Sequence, residues 1–347
     1  MERNQSVSTG GAGSEMLLHR RALLVGSGLA AAGLLSVAAL REIYALTASV
    51  FVARHQRYDG PLETTVRDGL IATGLVPAEL RGKRVLLKPN LVEPSRLVPH
   101  MTTHPAVIVA VAEAFRRWGA IVSVGEGPGH VRDTEMALLE SGLQQALDSA
   151  ALPFVDLNYE DVAWVKNRGH ASPLDGFFFP RSVVEADLIV SLPKMKTHHW
   201  VGVTASMKNM YGTIPGVKYG WPKNVLHHAG IPETVFDINA SLPKTVAVVD
   251  GIDCMEGDGP IMGSLKSMGL LVIGTVPAAV DATVCRLMGL EPSRVTYLNR
   301  AANRLGPIED RRIEQRGERW TSLAREFQIL DLPHLTRLRG TPGLLTS

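Results

Sequence analysis

The chain has 347 residues, with 36 Lys and Arg against 34 Asp and Glu, a formal net charge of +2, and two cysteines. Such a length buries a sizeable core, and the near-neutral balance excludes a polyelectrolyte binder of nucleic acid. Two cysteines, Cys254 and Cys285, supply neither a disulfide scaffold nor the four thiolates of an iron–sulfur cluster.

Residues 1–48 read as an export signal or membrane anchor. Arg20-Arg21 directly precede Ala22–Leu40, a run without a charge. A basic flank followed by an apolar run is the pattern of a signal peptide. The paired arginines resemble a twin-arginine export signal. The same run is just long enough to span a bilayer as an uncleaved anchor. The expected partners are therefore the twin-arginine export machinery and the membrane. The expected place is the periplasm or the outer face of the cytoplasmic membrane.

From Ser49 onward, apolar runs alternate with amphipathic stretches. Strands are expected at Ser49–Ala53, Arg84–Leu87, Ile121–Val124, Phe154–Leu157, Leu188–Leu192, Val246–Val249 and Leu270–Ile273. Helices are expected at Leu62–Gly74, Ala106–Trp118, Asp133–Ser141, Leu143–Ala150, Pro277–Met288 and Pro292–Leu305. Gly169–Pro180 reads as a hairpin or insertion. Strands apolar on both faces that alternate with helices predict an α/β fold, a three-layer, mostly parallel or mixed sheet flanked by helices. This domain is expected over residues 49–308. Residues 309–347 read as a C-terminal extension, with a short strand at Arg312–Glu314 and an amphipathic piece near Trp320–Phe327.

In open α/β sheets, ligands sit beyond the carboxyl ends of the strands. Four expected strands end in titratable residues or glycine: Lys88-Pro89-Asn90, Gly125-Glu126-Gly127-Pro128-Gly129-His130, Pro193-Lys194-Met195-Lys196-Thr197-His198-His199, and Asp250-Gly251-Ile252-Asp253 with Glu256 following. The glycine-rich turn could cradle an anion on its backbone N–H groups, with Gly125 and Gly127 as the candidates. It lacks the Lys-Ser/Thr of a P-loop and a third glycine at the dinucleotide spacing. His198-His199 and His227-His228 are adjacent pairs, so an extended chain turns the two rings of a pair to opposite faces. His100 and His104 lack the Glu of a zinc helix.

The 45 residues Leu188–Pro232 contain no Asp, Glu or Arg but five of the chain's ten lysines: Lys194, Lys196, Lys208, Lys218 and Lys223. Clustered ammoniums without carboxylates suit a phosphate or carboxylate ligand, or an oxyanion forming during reaction.

These residues also resemble a known family. Val85-Leu86-Leu87-Lys88-Pro89-Asn90-Leu91-Val92 and Thr102-Thr103-His104-Pro105 look like the opening of the domain-of-unknown-function family 362. Leu192-Pro193-Lys194-Met195-Lys196-Thr197-His198, Thr204-Ala205-Ser206-Met207-Lys208-Asn209-Met210-Tyr211-Gly212 and Ile214-Pro215-Gly216 look like its central signature. Val249-Asp250-Gly251-Ile252, Glu256-Gly257-Asp258-Gly259-Pro260 and Ala279-Val280-Asp281-Ala282 continue it. The resemblance implies an α/β domain of no established general activity. Many relatives are described as iron–sulfur proteins, but this chain lacks the cysteines for a cluster.

The expectation is an exported protein, read first as an enzyme, that binds a small anionic substrate or cofactor. Lys88 and Lys196 would carry the chemistry, with His198 as acid or base and His104 as its alternate. Asn90, Lys194, Thr197, Lys208 and Asn209 would bind the anion. Asp250, Glu256 and Asp281 would pair with the lysines or hold a divalent metal. A non-catalytic carrier of an anionic ligand or metal cofactor, and an accessory subunit of an exported redox complex, are the alternatives.

Overall fold

Alternation along the strands builds the molecule. The structure, a computed structural model, describes residues 46–340. The export signal expected over residues 1–48 lies almost wholly outside the described residues. Among the described residues no helix is long and apolar enough to cross a membrane.

The strands are β1 (Ala48–Ala53), β2 (Arg84–Pro89), β3 (Ile121–Glu126), β4 (Phe154–Asp156), β5 (Val162–Lys166), β6 (Gly176–Pro180), β7 (Leu188–Leu192), β8 (Lys194–His198), β9 (Gly202–Thr204), β10 (Thr245–Glu256), β11 (Ser264–Gly274) and β12 (Ile313–Gly317). The longer helices are α1 (Leu62–Ala72), α2 (Pro105–Arg117), α3 (Thr134–Glu140), α4 (Leu143–Ser149), α5 (Ile231–Ser241) and α6 (Pro277–Leu287). The main sheet runs β12-β1-β11-β10-β7-β2-β3-β4. Its centre, from β10 through β7, β2 and β3 to β4, is parallel. β11 lies antiparallel between β10 and β1, so the sheet is mixed.

Successive strand residues feed opposite cores, because side chains alternate across a sheet. Val85 and Leu87, Val190, Val248 and Ile273 pack with α1 to α4 on one face. Leu86, Ile189, Val249 and Val272 pack with α5 and α6 on the other. The result is the expected three-layer α/β fold.

Several boundaries differ from the expectation. Lys194–His198 is not a loop after β7 but a second strand, β8, fully buried and paired with the far half of β10. Its lysines disguise it, because polarity reads as exposure until their partners are known. β10 and β11 run on well beyond their apolar centres as a long antiparallel pair with a register shift between Gly251 and Asp253. The expected helix Pro292–Leu305 is broken into a 3-10 turn at Pro292–Arg294 and a helix at Thr296–Ala301. The hairpin is β5 with β6, so it begins before Gly169. Only Trp320–Leu323 of the expected amphipathic piece is helical. β12 pairs in parallel with β1 from Ala48↔Ile313 to Val52↔Gly317, which ties the segment after residue 309 into the sheet. Phe327, Leu335 and Leu338 of that segment are buried in the α5/α6-side core.

Candidate functional site

The site begins where the sheet parts. β2 pairs with β7 as far as Pro89↔Leu192, and the Asn90 amide then donates to the Leu192 carbonyl. Past Pro193 the chain leaves β2 and runs as β8 beside β10 and β9. A cleft opens between the end of β2 and β8, beyond the carboxyl ends of the parallel strands. Its cavity of about 100 Å³ is lined by Lys88, Asn90, Glu126, Gly127, His130, Lys196, His198, Thr204, Lys208, Asn209, Tyr211, Lys223 and His227, among others. An engineered apolar cavity of ~150 Å³ admits benzene, so this space suits the end of a small ligand.

An ammonium has three N–H donors, and counting them separates the lysines. Lys88 Nζ donates to Glu126 Oε1 (2.6 Å), the Pro89 carbonyl (2.8 Å) and Asn209 Oδ1 (3.1 Å), so all three are engaged. Lys223 Nζ is engaged by the carbonyls of Gly127, Tyr211 and Ile214. Lys196 Nζ donates to the Met101 carbonyl (2.7 Å) and the Pro260 carbonyl (3.2 Å), leaving one N–H open. Among the described residues Lys208 Nζ has neither a hydrogen bond nor an ion pair; it lies 3.9 Å from the centroid of the Tyr211 ring. Among the described residues Glu126 is the only carboxylate lining the cavity, and it is committed to Lys88 and the Gly127 amide. The cleft thus holds more ammonium than countercharge.

The titrations reflect that excess. Burial, with help from the charge on Lys88, pushes Lys208 down to about 7, while Glu126 pulls it the other way. Burial pushes Lys223 down to about 7 as well. Lys196 is held well below the ordinary lysine range, first by burial and then by Lys194, Lys208 and Lys88. Burial and Lys208 hold His198 well below its usual value and bring His227 to about 4. His130 is lowered too, chiefly by burial. The imidazoles of His198 and His227 are therefore neutral at pH 7. His198 Nδ1 accepts the Trp200 amide (3.1 Å), which assigns the ring proton to Nε2.

A lysine pKa lower in the folded chain has a definite consequence for stability. Between about pH 7 and 10 the unfolded chain binds protons that the folded chain does not, so stability rises with pH across that window. Below it both states are protonated and the cost of burying the charge is felt in full. The thermal midpoint is expected to climb from pH 7 to about 9, and Lys223→Met should flatten the climb. A midpoint level across that range would contradict the depressed lysine values.

Other expected site residues lie outside the cleft. Lys194, fully buried, pairs with Asp250 Oδ2 at 2.5 Å and donates to the Tyr58 hydroxyl at 3.0 Å. Asp250 also accepts the His104 amide (3.0 Å) and the Ile252 amide (3.2 Å). His104 does not line the cavity. It is the N-cap of α2, its Nδ1 accepting the Ala106 amide, and its ring stacks on Tyr58 at 3.7 Å. Thr197 donates to the Gly257 carbonyl. Glu256 pairs with Lys266 and accepts the Gln328 amide. Asp281, pushed up to about 7 by burial, accepts the amides of Ser206 and Met207 and so anchors the one-turn helix Ser206–Asn209 that carries Lys208.

The expected metal ligands Asp250, Glu256 and Asp281 are thus not brought together; each holds a different part of the scaffold. Among the described residues no group of three or more His, Cys, Asp or Glu side chains is placed to hold a metal ion. Of the glycine-rich turn, the two expected candidates Gly125 and Gly127 are committed to the scaffold. Gly125 packs against Leu86 and Leu157, where a Cβ would be at 3.0 and 3.1 Å. The Gly127 amide is taken by Glu126, and a Cβ there would press on Asn158 and the Gly212 carbonyl. Asn209 is fully engaged, by Lys88 through both its ends and by Ser191.

Two buried polar atoms of the cleft lack a hydrogen-bond partner among the described residues: Asn90 Oδ1 and Thr204 Oγ1. Buried polar groups are seldom left so. The groups open to a ligand among the described residues therefore include Lys196, Lys208, Asn90, Thr204 and His198, with His130 and His227 also lining the cavity. The expectation had no role for Thr204, Glu126 or Lys223. Glu126 was accessible by register: Leu87 pairs with Val124, so the carboxyl end of β3 must lie beside Lys88. Lys223 was signalled only as one of the five clustered lysines, and Thr204 only within the family signature.

The fold and cleft define a three-layer α/β domain with a cationic site at its strand ends. The family model "Domain of unknown function (DUF362)" matches residues 85–286, more than half of the chain, and the chain belongs to that family. A thylakoid-associated protein of Synechocystis is 29% identical over 267 residues, covering 74% of this chain and 79% of that protein. Among solved structures, the lactate racemase apoprotein of Thermoanaerobacterium thermosaccharolyticum aligns with a TM-score of 0.45 and 13% identity. That alignment covers 70% of this chain and 57% of the racemase chain.

Proposed function

We propose that the chain binds a small anion, a carboxylate or a phosphate, in the cleft between β2 and β8 and acts on it there. One observation carries this reading: Lys196 and Lys208 face the cavity with N–H donors uncommitted, and its sole carboxylate is already paired. A bound anion would supply the countercharge and raise both lysines toward their ordinary range. The Thr204 hydroxyl is a further open donor. His198 Nε2–H could donate to an oxygen on which charge develops, since a fixed N–H donor aimed at developing charge stabilises it.

Isothermal titration calorimetry with phosphate, sulfate and short carboxylates tests the reading. The protein is expected to bind at least one of them. Lys196→Met should weaken that binding by about 10- to 100-fold, as the loss of one charged hydrogen bond of ~1.5–3 kcal/mol requires. No heat with any anion of the panel, or equal affinity in the variant, would refute it.

A further inference from the structure

The four cavity lysines differ in one respect that matters for reactivity. Lys88 and Lys223 are engaged at every N–H, and Lys196 at two of three. Only Lys208 presents its nitrogen to the cavity with nothing but an aromatic face beside it. Its mount is rigid. Asp281 holds the amides of Ser206 and Met207, and Asn209, next in sequence, is locked to Lys88 and Ser191. Tyr211, whose ring supports the Lys208 side chain, is itself hydrogen-bonded to Thr234. A positioned amine without hydrogen bonds has a free lone pair once it loses its proton, and an amine among other ammoniums loses it readily.

We propose that Lys208 is a nucleophile that forms an imine with a small anionic aldehyde or ketone, a 2-oxo acid being the simplest member of the class. The proposal rests on the anion reading above, because Lys196 and Thr204 would hold the anionic group while Lys208 meets the carbonyl. The Nζ lone pair attacks the carbonyl carbon, and the C=O π pair moves to oxygen, which takes a proton. The nitrogen then loses a proton, and the hydroxyl is protonated and leaves as water as C=N forms. The sum is one carbonyl and one amine giving one imine and one water, with no oxidant or reductant. His198 Nε2–H, lining the same cavity, would polarise the carbonyl oxygen. His227, neutral at pH 7, can take a proton from the carbon next to the imine. Lys208, lowered to about 7, is about half free amine at neutral pH, where an ordinary lysine is almost wholly protonated.

The test is reductive trapping on the full chain. The protein is incubated with pyruvate or glyoxylate and sodium cyanoborohydride, and the modified lysine is located by peptide mapping. One adduct is expected, at Lys208, forming faster as pH rises through about 7 and suppressed by phosphate. Lys208→Arg should abolish it, and Lys218→Arg, at an exposed position, should leave it unchanged. Mapping the unsubstituted protein needs no variant to fold. Adducts scattered over surface lysines, no adduct, or a Lys208 adduct indifferent to phosphate would each overturn the proposal. If calorimetry shows anion binding but no adduct forms, the imine falls and the anion cleft stands. If neither occurs, both fall.

Discussion

Glu126→Gln is expected to destabilise the fold by about 3–5 kcal/mol, the cost of breaking a buried ion pair from one side. Lys88 and Glu126 meet at 2.6 Å with side chains 1% and 3% exposed. The substitution removes the countercharge of the Lys88 ammonium, whose other partners are the Pro89 carbonyl and Asn209. It also sets an amide NH2 against one of two donors, Lys88 or the Gly127 amide, that the carboxylate accepted together. Urea denaturation reads the loss. A companion variant, Lys88→Met with Glu126→Leu, should recover much of it, because paired apolar residues leave no lone buried charge. A loss below about 1 kcal/mol would mean that the pair is hydrated in solution.

Asp250→Ala should cost a comparable amount, about 3–5 kcal/mol, for a different reason. Asp250 ties three separate pieces of chain: β8 through Lys194, the start of α2 through the His104 amide, and the loop after β1 through the Tyr58 hydroxyl. Its removal leaves Lys194, 0% exposed, with Tyr58 as its remaining polar partner. Asp250→Asn keeps the shape and should lose less. Thermal and urea unfolding of both variants check the order. Equal losses would place the effect in the charge of the side chain rather than in its shape.

The two predictions touch the same strand ends, and they show what was legible in the sequence. The alternation of apolar runs with amphipathic stretches was enough for the layers and for most strand positions, because burial on both faces leaves an uninterrupted apolar signature. β8 was hidden because Lys194, Lys196 and Thr197 find their partners far away in sequence. The strand-end rule found Lys88, Asn90, Lys196 and His198, which do line one cleft. It could not sort the lysines, since sorting needs distant partners that lie 38 to 136 residues from Lys88, Lys194 and Lys196. Leu188–Pro232 lacks carboxylates, yet Lys194 is neutralised by Asp250 from β10, and Asp281 from α6 holds the helix of Lys208. The apparent block of charge is thus one paired lysine, one capping lysine, one exposed lysine and two that are open.

The edge of the sheet has a consequence for how the molecule is made. β1 is covered on one side by β11 and on the other by β12, with Ser49 hydrogen-bonded to Glu314 across 265 residues. During synthesis β1 is among the first of these elements to leave the ribosome and β12 the last. Until β12 arrives, one row of β1 amides and carbonyls has no strand to pair with, and such a row invites pairing with another chain. Closing so long a loop is slow as well as late. The interval between the emergence of the two strands is therefore the period in which the nascent chain is most exposed to misassembly, and in which a chaperone would have the most to protect.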